Sequence, residues 1–297
     1  MFLVLGNAVI DEAMTVDLWP APGQTVIVGA PRRDLGGKGA NQALMLARAG
    51  APVRFVAPVG RDAEGDWIAD TLRRAGLPQA ELWRTGGTTD RSLIFVSREG
   101  ENAIASTTEA ARSIDAAAAR DVVRGLAPGD VLVLQGNLTL SATRAALEAA
   151  RSRGVRTVFN PSPIQAGFGD LLGLVDLLVL NESEAAALSG GAATADAAAA
   201  LRDVGAGAVV LTLGARGAIF TSEAGHGHLP ALAVEVVDTT GAGDAFAGVL
   251  VAGVYQRGLG LEAAIRAATA AAALTVQRQG TLAAFPSVDE VAAIWRR

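Results

Sequence analysis

No cysteine occurs in this 297-residue chain, which excludes disulfides, thiolate nucleophiles and cysteine-ligated zinc. Histidine is nearly as scarce, with only His226 and His228 present. They flank one glycine in a segment that reads as a surface hairpin, and no third ligand stands close in sequence. A structural or solvent-facing role therefore outweighs a metal site. No basic cluster or aromatic-interleaved basic stripe occurs, and the net charge is −5, so neither nucleic acid nor an anionic membrane is an expected partner. No run reaches transmembrane length. Met1 to Gly6 is apolar for only five residues and lacks a basic flank, so it reads as a core strand and not a signal peptide. A soluble, cytoplasmic protein is expected. Lysine is the sharpest scarcity: of the 25 basic residues all but Lys38 are arginine. Lys38 sits between glycines in Gly36-Gly37-Lys38-Gly39-Ala40-Asn41, where a slim ammonium suits a tight backbone loop better than a guanidinium.

What is abundant is apolar. A hydrophobic content of 51% is enough to bury a large core, and the length suits one α/β domain over residues 1–297. Neither a domain linker nor a repeat is evident. Val131 to Gln135, Val155 to Asn160, Val175 to Asn181 and Ala208 to Leu213 are continuous apolar runs separated by alanine-rich helical stretches. Such runs indicate parallel strands buried on both faces. Two segments break this rhythm. Residues 13–34, with a β-rich Thr25 to Val28, and residues 91–107, a hairpin around Arg98 to Glu101, predict a small β lid over the main sheet. An exposed sheet of that kind tends to pair with a partner, so a homodimer through the lid is expected.

Polar residues collect where the apolar runs end: Asn137, Asn160, Asn181, Glu184 and Thr212. Asp11 follows the first strand in the same way. That end of an α/β sheet is where ligands bind. Late in the chain stands Thr239-Thr240-Gly241-Ala242-Gly243-Asp244, between an alternating apolar segment that reads as a strand (Ala231 to Val237) and an apolar helical run from Ala245 to Tyr255. Glycines at a helix start let several N–H groups converge on an anion where the helix dipole is positive. A carboxylate beside a phosphate is repelled unless aimed at something else, and a hydroxyl awaiting deprotonation is such a target. A tight turn followed by a first-turn acid accounts for the same residues. The two readings are separated by the rest of the chain.

The Gly36–Asn41 loop, Gly60-x-Asp62-x-x-Gly65, Asn181-Glu182-Ser183-Glu184, Thr212-Leu213-Gly214-Ala215-Arg216-Gly217 and Asp238 to Asp244 together resemble the ribokinase (PfkB-type) family of carbohydrate kinases, in the family's order and over nearly the whole chain. The resemblance implies a three-layer sandwich with a mainly parallel central sheet and a β lid. It also implies transfer of the γ-phosphate of ATP to a sugar hydroxyl. Asp244 would then be the general base, and Gly241, Ala242 and Gly243 the turn that stabilises the transferring group. Asn181 and Glu184 would hold Mg2+ through water, although a helix cap explains that pair equally well. Thr212, Gly214 and Gly217 would form the nucleotide loop. Asp238 and Thr240, with carbonyls near Thr275 and Gly280, match a K+ site, but Ala284 stands where the family's namesake has a serine.

The same resemblance places Asp11, Gly37, Lys38, Asn41 and Asn137 around the sugar. Two departures matter. Val9 falls where the namesake has an asparagine, and Gln135-Gly136-Asn137 falls where it has a glutamate. Lost polar contacts change which sugar is accepted. D-Ribose or a related sugar is the leading expectation. A nucleoside kinase needs an aromatic shelf, for which the lid offers Phe95 and Trp19. A phosphosugar kinase needs cations, for which Arg32, Arg33, Lys38 and Arg98 are available. A non-catalytic sugar-binding protein is the remaining alternative, and the intact Asp244 turn opposes it.

Overall fold

The computed structural model describes residues 1–77, 79–97, 102–192 and 194–296. The chain opens with β1 (Phe2–Leu5) and runs into β2 (Val9–Val16). After an irregular stretch come β3 (Arg32–Gly36), α1 (Lys38–Arg48), β4 (Val53–Val59), α2 (Ala63–Ala75) and β5 (Glu81–Arg84). Two more strands, β6 (Arg91–Ser97) and β7 (Asn102–Ser106), precede α3 (Ala116–Val123). The regular alternation follows: β8 (Val131–Gln135), α4 (Leu140–Ser152), β9 (Arg156–Asn160), β10 (Leu177–Asn181), α5 (Glu182–Leu188), α6 (Thr194–Asp203) and β11 (Ala208–Thr212). The hairpin β12 (Ala218–Ser222) and β13 (Gly225–Leu229) leads to α7 (Ala242–Val251), α8 (Leu261–Val276) and α9 (Val288–Ile294).

Among the described residues, nine strands form one sheet in the order β13-β12-β11-β10-β9-β8-β1-β4-β5. All its pairings are parallel except those of the β12–β13 hairpin at one edge. Alternate residues of one strand feed opposite layers. Phe2 and Val4 pack with α1, α2, α7 and α8, whereas Leu3 and Leu5 pack with α3, α4 and α6. Burial on both faces is why these strands read as unbroken apolar runs. The result is the expected three-layer α/β sandwich with a mainly parallel sheet.

A second sheet has the order β3-β2-β6-β7. It is mixed, since β2 pairs parallel with β6 while β2–β3 and β6–β7 are antiparallel. Its strands begin and end outside the expected segments, at Val9 and Gly36, so Asp11 belongs to the lid sheet itself. Thr25 to Val28 forms no strand, and Ile27 is 94% exposed. The tip Arg98 to Glu101 lies outside the described residues. Arg33 stacks its guanidinium 4.4 Å from the Trp67 ring of α2, and Arg91 reaches Glu64 at 2.5 Å. These contacts tie the small sheet to α2.

Ala231 to Val237 also forms no strand. Pro230 follows β13 directly and has no N–H to continue a ladder. Leu232, Val236 and Val237 are consequently exposed, and the segment is tied down instead by the Val237 and Asp238 amides donating to the Val276 carbonyl. Helix α7 begins at Ala242, earlier than the apolar run suggests, which puts Asp244 in its first turn.

Candidate active site

The parallel strands end on a common ledge. Register places Gln135 beside Asn160 and Asn181 beside Thr212, because each strand turns polar where it leaves the apolar layers. Above this ledge the chain enters α7 through Gly241, whose φ of 77° is left-handed. A Cβ at Gly241 would lie 2.8 Å from Phe285 Cε1. Both conformation and space therefore demand glycine. Asp238 Oδ1 accepts from the Thr240 amide and holds the start of the turn.

Asp244 is 6% exposed. Its position follows from helix packing. A Cβ on Gly248, one turn further along α7, would meet Met45 Cβ at 2.5 Å, so α7 and α1 cross in near backbone contact there. One turn earlier on each helix, Asn41 and Gln42 come against Asp244. Asn41 Nδ2 donates to Oδ2 at 2.9 Å and Gln42 Nε2 to Oδ1 at 3.0 Å. Lys38, at the start of α1, brings its ammonium to 3.9 Å from Oδ1. The carboxylate thus receives one neutral donor on each oxygen and a cation alongside. All three of these partners come from the glycine-rich loop and the helix it opens.

That loop is tight for a stated reason. A Cβ on Gly36 would overlap the Asp11 carboxylate at 2.1 Å, and one on Gly37, at φ 96°, would lie 2.9 Å from the Asn7 carbonyl. Asp11 stands opposite Asp34 across β2–β3. Burial is the main force pushing the Asp11 carboxyl up to about 7; a hydrogen bond to Ser92 opposes it, and the Asp34 and Asp244 charges add to it. Asp34 Oδ2 accepts from the Thr281 and Leu282 amides, so this lid strand is hydrogen-bonded to the loop that packs on Gly241. Three amide oxygens, Asn41 Oδ1, Gln135 Oε1 and Asn137 Oδ1, are buried without a partner. Acceptors of that kind suit the hydroxyls of a bound polyol.

The opposite end of the ledge is more open. Asn181 caps α5, its side chain accepting from the Glu184 amide while Glu184 Oε2 accepts from the Asn181 amide. The capping arrangement is therefore formed. Among the described residues there is no cluster of three or more histidine, cysteine or acidic side chains that would cage a metal. An acid and an amide at a helix start fit a Mg2+ that keeps most of its waters and leans on phosphates. Thr212 ends β11, and Gly214 and Gly217 both take positive φ. A Cβ at Gly217 would lie 2.0 Å from the Leu229 carbonyl. Arg216 pairs with Glu182, and His228 Nε2 contacts the Arg216 carbonyl at 2.7 Å, which gives that histidine a structural role. Asp238 Oδ2 accepts from the Gly280 amide, so this acid, Thr240 and Gly280 are neighbours. Thr275 is fully buried one residue before the Val276 carbonyl that accepts from Asp238. Both Asp238 oxygens are thus taken by amides, Arg32 lies 3.8 Å from Oδ2, and Ala284, fully buried, brings no hydroxyl to this group.

Sequence reasoning passed over Gln42 and Asp34. Gln42 was legible only as a polar residue within the buried stretch Gly39–Leu46, and Asp34 as an acid in an otherwise basic strand.

A family model described as "pfkB family carbohydrate kinase" matches residues 4–288. Ribokinase of Staphylococcus aureus (strain COL) is 33% identical over 299 residues, covering 97% of both chains. Among solved structures, ribokinase of Thermotoga maritima matches with a TM-score of 0.88 at 29% identity, covering 100% of this chain and 99% of that one. Ribokinase of Arabidopsis thaliana, solved as a complex with ribose and ATP, matches with a TM-score of 0.85 at 26% identity over 100% and 98%.

Proposed function

The chain belongs to the pfkB family of carbohydrate kinases, and from that premise we propose that it transfers phosphate from ATP to a hydroxyl of D-ribose or a closely related sugar with Asp244 as general base. It is a phosphotransferase with an alcohol acceptor. The observation that carries the assignment of the base is the buried Asp244 carboxylate, held by a donor on each oxygen at the start of α7. The sugar hydroxyl gives its proton to Asp244 as its oxygen bonds the γ-phosphorus and the bond to the ADP oxygen breaks. Gly241, Ala242 and Gly243 present the positive end of α7 to the charge on the moving group. Asp11, Gly37, Lys38, Asn41 and Asn137 line the sugar side.

Thr212, Gly214 and Gly217 take the nucleotide. Asn181 and Glu184 would hold Mg2+ through its waters, and the ion would supply charge neutralisation at the phosphates. Asp238, Thr240 and the carbonyls of Thr275 and Gly280 take K+. Asp34, opposite Asp11 across β2–β3, adds an acid on this side that opposes a substrate already carrying phosphate. Ile104 and Leu93 are exposed on β7 and β6, and β7 ends the small sheet, which supports a homodimer through the lid. A monomeric mass in solution at assay concentration removes the dimer. No helix among the described residues is long and apolar enough to cross a membrane, which fits a cytoplasmic enzyme.

The test is ADP release from Mg-ATP across free pentoses, nucleosides and phosphosugars, each with and without K+. Turnover of D-ribose or another free pentose is expected. Turnover confined to nucleosides or phosphosugars overturns the substrate assignment.

A further inference from the structure

We propose that Gln42 is a positioning residue for the base, the last link in a buried chain of side-chain amides whose direction is set by a backbone carbonyl. The proposal rests on the reading of Asp244 as general base. The Val179 carbonyl in β10 can only accept. Asn160 Nδ2 donates to it at 2.8 Å, which turns Asn160 Oδ1 toward Gln42. Gln42 Nε2 donates to that oxygen at 3.0 Å and to Asp244 Oδ1 at 3.0 Å. Gln42 Oε1 is then left as an acceptor, and Gln135 Nε2 fills it at 2.9 Å.

An amide has one donor end and one acceptor end, so turning over Asn160 or Gln42 sets like against like. The polarity therefore runs in one sense from β10 to the carboxylate. Its far end is strained in one respect: Gln135 Oε1 is buried without a partner, at a spot where only a glycine, Gly6, leaves room. Gln42 is 1% exposed, Gln135 0%, Asn160 9% and Asp244 6%, so bulk water does not compete for these bonds and their directions persist. The charged groups facing Asp244 from neighbouring elements are Lys38 on α1, at 3.9 Å, and Asp11 on β2, with Asp34 beside it on β3. The Lys38 ammonium is half-buried and the two acids stand on the small sheet, whereas the amide chain belongs to the core. With Gln42 on Oδ1 and Asn41 on Oδ2, the plane of the carboxylate is pinned, and each oxygen keeps a lone pair for the substrate hydroxyl. A residue that only filled space would be replaced without loss by methionine, which has the same length and no amide.

The test measures kcat and both KM values for the full chain with the pentose turned over in the panel and Mg-ATP. Gln42→Met is expected to lower kcat about 30-fold with KM values within about twofold, a loss confined to the transition state. The isosteric Gln42→Glu, which sets an anion against Oδ1, is expected to lose more than Gln42→Met. Gln135→Met and Asn160→Leu, which free the Gln42 amide to turn, are expected to lose about fivefold each. In an Asp244→Asn background, Gln42→Met is expected to add nothing. Wild-type kcat in Gln42→Met, or losses that appear in KM and melting temperature and not in kcat, overturn the proposal. Where Gln42→Met does not fold, Gln135→Met and Asn160→Leu decide it by the same criteria. A wild-type protein inert across the panel, or an active Asp244→Asn, instead breaks the reading of the base and takes the amide chain's role with it.

Discussion

Where α7 crosses α1, Asp244, Gln42, Gln135 and Asn160 are each no more than 9% exposed, and their contacts run helix to helix and strand to helix through the core. Along the edge proposed to take the nucleotide, the Arg216–Glu182 pair has 61% and 43% exposed side chains, and the Asn181–Glu184 cap is open to water. The chemistry asked of the two regions differs accordingly. Proton removal needs a carboxylate in one orientation, and buried hydrogen bonds in a low dielectric hold it there before substrate arrives. On the proposed reading, the edge that takes the nucleotide must admit and release a charged ligand. Solvent-screened pairs are enough for that, because the phosphates and metal supply the missing order when they bind.

This contrast predicts that equal chemical changes have unequal effects in the two regions. Gly241→Ala forces a side chain into a left-handed position and against Phe285. It should lower kcat by about 10²- to 10³-fold, the scale of losing a transition-state donor, measured as ADP release at saturating substrates. Gly248→Ala drives α1 and α7 apart at Met45. It should destabilise by about 1–3 kcal/mol in urea unfolding and lower kcat as well, since the same crossing sets Asn41 and Gln42 on the base.

Asp11→Asn probes burial on the lid side. The Asp11 carboxyl is pushed up to about 7, whereas an unfolded aspartate titrates near 3.9. Between those values the native state holds a proton that the unfolded state has released. This group's contribution to stability is therefore most favourable below about pH 4 and falls as pH rises to about 7. Asp11→Asn should raise the melting temperature by about 2–4 °C at pH 8 and by little at pH 4, with weaker sugar binding at both. The smallest effect is expected at the nucleotide edge. Arg216→Ala should leave the melting temperature within about 1 °C of wild type and change the KM for ATP by about twofold. A large kcat loss there would erase the distinction between the regions.

Much of this is legible in the sequence. Strands β8 to β11 announce themselves because burial on two faces makes their middles apolar and leaves polar residues to their ends, and the acid at Asp244 stands out because the turn before it is rich in glycine. Ala231 to Val237 misleads because alternation alone cannot show that Pro230 has ended the ladder. Thr25 to Val28 misleads similarly, since β-branched residues form a strand only beside another strand. Gln42 is harder still. Its meaning lies in partners at positions 135, 160 and 244, brought together by a helix crossing at Gly248 that no local pattern reveals. The lid was visible as a break in rhythm, but the β2–β3 register that sets Asp11 against Asp34 was not.

The most direct test of the account compares wild type with Asp244→Asn in two assays, ADP release with Mg-ATP and the accepted pentose, and ATP binding by calorimetry. The account predicts a kcat at least about 10³-fold lower in the variant with ATP affinity unchanged. Near-normal turnover in Asp244→Asn would contradict it.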